Sequence, residues 1–456
     1  MNPRNLLLLV AVLAALLSTG ALPAQPGNRP NVLFIAIDDL NHWVQYLGRN
    51  PQVKTPNLDR IARRGVRFTR AYCAAPVCNP SRAALMSGLR PSTSGVYDNP
   101  TDWRPLIAED LVLPTQFRKA GYHVAGAGKI YHDSYRRDTD WDEYMQRDGA
   151  DPRPAGNDGV VGIKFAPLDC KDEDLRDYRI ASWVIERLNR KPDRPFFLAA
   201  GLHKPHMPWN VPRKYYDMYP LDQIQLPKVL DSDLDDVPPA GVQMARPQGD
   251  HADIVKSGRW KEAVQAYLAA ITYTDMNVGR LLDALDRSPH RDNTIVVIWG
   301  DHGWHLGEKL HWRKFALWEE ATRAPLIWVA PGVTKPGSVC HRTVDFMSLY
   351  PTLLDLCRIP IPKHVEGPSI RKLLENPAAA WDRPALTTFR SGNHAVRSEK
   401  WRYIRYNDGS EELYDETKDP LEWTNLAGKP EYAAVKTELA KHLPKVNAGN
   451  PSAARK

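Results

Sequence analysis

Three short, uninterrupted apolar runs constrain this chain most. Asn31 to Ile37 reads NVLFIAI and ends in Asp38-Asp39. Pro195 to Ala200 reads PFFLAA and leads into Gly201-Leu202-His203-Lys204-Pro205-His206. Thr294 to Trp299 reads TIVVIW and is followed by Gly300-Asp301-His302-Gly303. Strands this short, without polar alternation, are buried on both faces, as in a parallel sheet covered by helices. The segments between them read as helices. Thr55-Pro56 has the form of an N-cap and first-turn proline, with Gly65 closing the helix. Ala263 to Leu285 carries Val264, Tyr267, Leu268, Ile271, Val278, Leu282 and Leu285 as one apolar stripe of a long helix. Strands alternating with helices predict an α/β sandwich.

In open α/β sheets, ligands bind beyond the carboxyl ends of the strands. Asp38, Asp39, His206, Asp301 and His302 are therefore expected to converge on one edge, although they lie far apart in the chain. The 456 residues suit roughly two to three domains. The stretch from Pro212 to Pro247 is proline-rich with weak periodicity and reads as a long surface excursion. After residue 376 the texture changes. Trp401 to Tyr406 alternates like an antiparallel strand, Asn407-Asp408-Gly409 reads as a turn, and Glu412 to Tyr414 as the next strand. Pro430 to Leu443 reads as a terminal helix. The expected division is a catalytic domain over 25–376 and a small C-terminal antiparallel-sheet subdomain over 377–456.

The N-terminus has the order of a signal peptide over residues 1–24. Arg4 precedes the apolar run Leu6 to Leu17, and small residues follow at Ala21 and Ala24. The run is short of the about 20 residues a spanning helix needs, so export without a stable membrane anchor is expected, to the periplasm or the medium. Removing the leader takes the net charge from +7 to +6, a balance that attracts polyanions such as sulfated glycans. No nucleic-acid motif and no block of five basic residues is present. The five cysteines are Cys73, Cys78, Cys170, Cys340 and Cys357. An exported protein can form disulfides, but an odd count leaves one thiol over, and the pairing stays open.

The sharpest local signal is Cys78-Asn79-Pro80-Ser81-Arg82, followed by Ala83 to Gly88. Asn79 reads as an N-cap, Pro80 as the first helical residue and Gly88 as the residue that ends the helix. Cys78 then sits just before a helix N-terminus, where unpaired amides favour anions, and Arg82 can reach the same spot. Asp38, Asp39 and Asp301 supply three carboxylates with little nitrogen, a donor set that favours a hard cation.

Cys-x-Pro-Ser-Arg resembles the signature of the formylglycine-dependent sulfatases. Gly121-Tyr122 and Gly128-Lys129-Ile130-Tyr131-His132 resemble that family's second signature. His203-Lys204-Pro205-His206, Asp301-His302-Gly303-Trp304 and Trp312-Arg313-Lys314 resemble its iduronate-2-sulfatase branch. The likeness runs from about Asn31 to about Leu426. Asn79, Ser87 and Val124 depart from the family's usual residues, while Cys78, Pro80 and Arg82 are intact.

The resemblance implies an alkaline-phosphatase-like α/β sandwich with a large, mostly parallel sheet. It implies that a maturation enzyme oxidises Cys78 to an aldehyde, formylglycine. It also implies one Ca²⁺ held by Asp38, Asp39, Cys78, Asp301 and His302, with Mg²⁺ and Mn²⁺ left open. Arg82, Lys129 and Lys314 would supply fixed positive charge around the sulfate. His206 would protonate the leaving group, His132 would take a proton from the second hydroxyl of the hydrated aldehyde, and His203 would line the substrate pocket. His123, His305 and His311 lie near the same motifs; Glu308 and Trp312 read as packing. One hydroxyl of the hydrate would attack sulfur in line, and the other would then expel sulfate, so that one hard step becomes two easier ones. The expected substrate is a sulfated carbohydrate. Two competing readings are a phosphomonoester or phosphonate hydrolase of the same fold and a non-catalytic glycan-binding relic.

Overall fold

The computed structural model describes residues 29–449 except 147, 148, 157 and 192; the segment read as a signal peptide lies outside the described residues. The centre is an eight-stranded sheet. Its order is Ser338–Asp345, Val66–Tyr72, Leu326–Val329, Thr294–Gly300, Asn31–Ile37, Phe196–Leu202, His123–Gly128 and Glu143–Tyr144. Asn31–Ile37 pairs in parallel with both Phe196–Leu202 and Thr294–Gly300. Leu326–Val329 runs antiparallel to both its neighbours. The sheet is thus mixed and mostly parallel. All seven residues of each of the three central strands are buried, as their unbroken apolar character requires.

Helices cover both faces, and each face has its own core. On one face Ile35, Leu198 and Ile298 pack against the long helix Trp260–Arg287 through Leu268, Ile271 and Leu282. On the other, Phe34, Phe197 and Trp299 pack with Leu85, Phe117, Leu353 and Leu354. Alternate residues of one strand therefore serve opposite cores. The C-terminal region forms a four-stranded antiparallel sheet, Ala385–Thr388, His394–Arg397, Trp401–Arg405 and Glu411–Asp415. A short helix, Ala433–Ala440, follows.

Two local expectations shift. The helix after Thr55 ends at Ala62, before Gly65, and the Thr55 hydroxyl accepts the Gln45 amide instead of capping the helix. Gly65 serves the sheet: a Cβ there would stand 2.0 Å from the Trp328 carbonyl oxygen. The helix Cys78–Ser87 starts at Cys78 itself, with Val77 as N-cap. Asn79 lies inside it because its side-chain amide donates to the carbonyls of Asp98 (2.9 Å) and Thr101 (2.7 Å). Gly88 ends this helix in the left-handed conformation as expected. Within 212–247 lie two short α-helices, Arg213–Asp217 and Pro239–Ala245, and a 3-10 turn, Leu221–Gln223, and none of the excursion joins the large sheet.

The sheet brings backbones unusually close where two strands end. A Cβ on Gly201 would meet the Lys129 backbone at 2.3 Å, and the Lys129 amide donates to Gly201 O at 2.9 Å. Gly201→Ala must push the chain bearing Lys129 aside. We predict a loss of about 1–3 kcal/mol of stability, read as a lower urea midpoint, together with reduced turnover.

Candidate active site

Five strand ends deliver the site. Asp38 and Asp39 follow Asn31–Ile37, Asp301 and His302 follow Thr294–Gly300, and Lys129 follows His123–Gly128. The loop after Phe196–Leu202 carries His203 and His206, and the one after Val66–Tyr72 leads to Cys78. The convergence expected at the carboxyl edge of the sheet is present. Ligating atoms of Asp38, Asp39, Cys78, Asp301 and His302 all lie within 4.8 Å of one another, and all five residues are buried.

Three cations face the three carboxylates. Arg82 donates through Nε to Asp301 Oδ2 (2.9 Å) and through Nη2 to Asp38 Oδ1 (3.2 Å). Its Nη1 donates to the carbonyls of Lys129 and Ile130. Lys129 Nζ donates to Asp38 Oδ2 at 2.6 Å. Lys314 Nζ donates to Asp39 Oδ1 (2.6 Å) and to Cys78 Sγ (2.8 Å). Burial opposes charge on Asp38, but Lys129, His206 and Arg82 outweigh it and hold this carboxyl well below the usual range. Burial is likewise outweighed at Asp39, chiefly by Lys314. At Asp301 burial prevails over Arg82 and the carboxyl is raised. Burial, reinforced by Asp38, pushes the Cys78 thiol well above its usual value, against the pull of Lys129 and Lys314.

Asp39 adopts a left-handed backbone, φ 59°, a strained conformation for a residue with a Cβ. Its amide donates to Asp301 Oδ1 at 2.9 Å, and the Tyr267 hydroxyl donates to its carbonyl at 2.7 Å. Ser81 Oγ donates to Asp301 O at 2.6 Å, which ties the Cys78 helix to the second carboxylate pair. Tyr267 was legible only as part of an apolar stripe; nothing in the spacing signals that its hydroxyl reaches the site.

The histidines differ in placement. His302 Nε2 faces Cys78 Sγ (3.3 Å) and Asp39 Oδ1 (3.3 Å), while its Nδ1 lies 3.0 Å from Gly303 O. Burial lowers its pKa. A neutral ring donating from Nδ1 to that carbonyl turns the Nε2 lone pair into the cluster, as a metal ligand requires. His206 Nε2 borders the cluster at 3.9 Å from Asp39 Oδ2, with Nδ1 against Met207 O at 2.5 Å. Burial lowers it to about 4 despite Asp39 and Asp38. The His132 Nδ1 is buried without a hydrogen-bond partner, and burial together with Lys129 lowers the ring's pKa to about 4.

His203 stands further out, between Asp177 (3.3 Å from Nδ1) and Asp133 (3.1 Å from Nε2). Sequence reasoning missed both aspartates. A cleft of about 610 Å³ opens onto Asp38, Lys129 and His206 and is lined further by Arg153, Arg176, His203 and Lys204. None of the five cysteines is in a disulfide. His123 lies near Asp142 and Glu143, Trp312 is buried in the core, and His305, Glu308 and His311 are buried in the hairpin that ends at Lys314.

Comparison with known proteins decides the family. The sulfatase family model matches residues 30–359. The chain belongs to the sulfatase family. A second model, N-sulphoglucosamine sulphohydrolase, C-terminal, matches residues 300–449 of this sulfatase. A sulfatase of Formosa agariphila is 40% identical over 447 residues, covering 92% of this chain and 87% of that one. The iduronate 2-sulfatase of Mus musculus is 29% identical over 395 residues, covering 74% and 70%. The likeness to the iduronate branch is therefore distant. The solved phosphonate monoester hydrolase of Silicibacter pomeroyi shares the fold, with a TM-score of 0.78 at 23% identity over 91% and 94% of the two chains. As a member of this family the chain is a sulfuric ester hydrolase with an alkaline-phosphatase-like architecture.

Two predictions test the electrostatic account. Arg82→Met strands two buried carboxylates and is expected to cost about 3–5 kcal/mol, whereas breaking the partly exposed Arg60–Asp283 pair should cost at most about 1 kcal/mol; chemical denaturation measures both. At His203, burial would lower the pKa, but the hydrogen bonds the ring donates to Asp133 and Asp177 override it and raise it from 6.5 to about 8. Protonated His203 therefore adds stability that is full below pH 6.5 and lost as pH rises through about 8. The stability gap between wild type and His203→Gln should shrink across that window.

Proposed function

We propose that this sulfatase hydrolyses sulfate esters of a sulfated carbohydrate, with an aldehyde made from Cys78 and a bound divalent cation. The observation that carries the reading is the buried cluster of Asp38, Asp39, Cys78, Asp301 and His302 ringed by Arg82, Lys129 and Lys314. The residues fit a cation. Three carboxylates form a hard donor set, Asp39 Oδ2 is buried without a hydrogen-bond partner, and the His302 ring presents Nε2 to the cluster. These five side chains would hold Ca²⁺, with Mg²⁺ or Mn²⁺ as alternatives. When bound, the cation supplies Lewis-acid stabilisation of charge on oxygen. Hydrated formylglycine at Cys78 supplies two hydroxyls on one carbon, one to attack sulfur and one to release sulfate.

The chain's own groups do the rest. Lys129 and Lys314 flank the position of Cys78 and offer preorganised positive charge to a sulfate placed there. Arg82 holds Asp38 and Asp301 in place from behind. The Nδ1–H of His206 points to Met207 O, so Nε2 is the nitrogen that would carry a proton to the leaving oxygen. The anionic ester beside it favours that protonation. His132, neutral at ordinary pH, would take the proton from the second hydroxyl. His203, with Arg153, Arg176 and Lys204, lines the cleft that would take the sugar. The iduronate 2-sulfatase likeness and the basic balance support an acidic sulfated sugar.

The domain division near residue 376 and the leader over residues 1–24 belong to the same reading. They assign an exported enzyme, matured by a formylglycine-generating enzyme and located in the periplasm or the medium. No described helix is long and apolar enough to cross a membrane.

Cys78→Ala and Asp38→Asn should abolish sulfate ester hydrolysis while the folded state persists by circular dichroism. A chelator should abolish it reversibly. Mass analysis of protein co-expressed with a maturation enzyme should find Cys78 as the aldehyde. Parallel rates on a sulfated monosaccharide and its phosphate analogue should favour sulfate. Turnover by Cys78→Ala would overturn the covalent route, and a preference for phosphate would move the chain to the phosphonate or phosphomonoester reading.

A further inference from the structure

One strained hairpin joins the two halves of the site. After Asp301 and His302 the chain forms the strand His305–Leu306, turns through Gly307–His311, and returns as Trp312–Arg313 to reach Lys314. Within seven residues, Lys309 (φ 57°), Leu310 (φ 48°), Arg313 (φ 75°) and Phe315 (φ 73°) all adopt the left-handed conformation. None is glycine. Side chains with a Cβ resist this conformation, and it persists only where surrounding contacts overdetermine it.

Those contacts come mainly from the excursion and the start of the helix Asp250–Ser257 that follows it, segments that the catalytic reading leaves without a role. Lys309 Nζ, buried, donates to Asp233 Oδ1 at 2.7 Å and to the Glu422 carbonyl of the C-terminal region. The His311 ring lies between Ala245 O (2.7 Å from Nδ1) and Lys314 O (2.6 Å from Nε2). Arg313 donates through Nε to Asp250 Oδ2 (2.5 Å) and through Nη2 to Asp250 Oδ1 (3.1 Å), the bidentate geometry that fixes a guanidinium in one plane. The same Nη2 reaches Gly162 O. A Cβ on Gly162 would stand 2.2 Å from Asp250 Oδ1, so only glycine lets this carboxylate approach. Three anchors, Asp233, Ala245 and Asp250, thus grip residues 309, 311 and 313, and the next residue is Lys314.

We infer that residues 233–250 form a clamp whose function is to hold the strained hairpin so that the Lys314 ammonium is fixed at Cys78 and Asp39. Asp250, Arg313, Asp233 and Lys309 are positioning residues: none touches the cluster, and each acts through Lys314. The inference rests on the proposed site insofar as it gives Lys314 a task there. The hairpin's strain means that release of one anchor lets the backbone relax and carries Lys314 away.

The test compares wild type, Asp250→Asn, Lys314→Ala and the double variant. Hydrogen exchange of the purified protein should show lost protection over residues 305–316 in Asp250→Asn, with protection of Asn31–Ile37 and Thr294–Gly300 unchanged. On a sulfated monosaccharide turned over by the wild type, Asp250→Asn should lower kcat by about 10- to 100-fold with little change in KM, the effect of a small misplacement at a reacting group. The double variant should be no slower than Lys314→Ala alone, because both changes remove one interaction. Unchanged hairpin protection, or losses that multiply in the double variant, would overturn the clamp. Full turnover by Lys314→Ala would instead count against the site reading, and the exchange experiment would still judge the clamp. If Asp250→Asn does not fold, Arg313→Gln breaks the same pair from the hairpin side and takes its place.

Discussion

Neutralising three buried carboxylates against three buried cations is the constraint on which this molecule depends. Asp38, Asp39 and Asp301 stand at the ends of central strands with no solvent access, where isolated charges are costly to hold. Arg82, Lys129 and Lys314 match them in number, with Arg82 shared between Asp38 and Asp301. Each cation enters from a different part of the chain, on a helix, a strand end and a hairpin. The arrangement ties the layers of the fold together at the edge where the chemistry is set. It also explains why that edge tolerates strain at Asp39 and in the hairpin: charged hydrogen bonds of this kind over-specify geometry.

Much of this was legible in the chain. The three apolar runs gave the central strands to within two residues, and their polar ends gave Asp38, Asp39, Asp301, His302 and His206. The Cys78 motif pointed to Cys78 and Arg82, both of which the structure brings to the cluster. Lys129 and Lys314 were visible only through resemblance, since a lone lysine carries no sign of its partner. The Cys78 helix starts two residues earlier than the sequence suggests, because the Asn79 side chain makes its hydrogen bonds to residues 98 and 101, a distant loop, and not to its own helix.

What stayed hidden is long-range and polar. Tyr267 reads as apolar helix stripe, yet its hydroxyl holds the Asp39 carbonyl from 228 positions away. Asp133 and Asp177 flank His203 from opposite sides without any shared motif. Asp250 and Arg313 form a bidentate pair across 63 positions, with the long helix and a central strand between them, and no motif links the two. Periodicity reports burial, and motifs report chemistry, but neither reports which surface segment grips which turn. Left-handed backbone at Lys309 and Arg313 leaves no trace either, because nothing in those residue types favours it.

Cys78 lies 236 positions before Lys314, the group that closes over its sulfur. At ribosomal rates of about 5–20 residues per second, that separation corresponds to roughly ten to fifty seconds of synthesis. Throughout that interval the helix bearing the thiol has left the ribosome while its covering hairpin does not yet exist. Order along the polypeptide thus acts as a clock: the sulfur stays uncovered early and can be sealed only once about two thirds of the chain has been made.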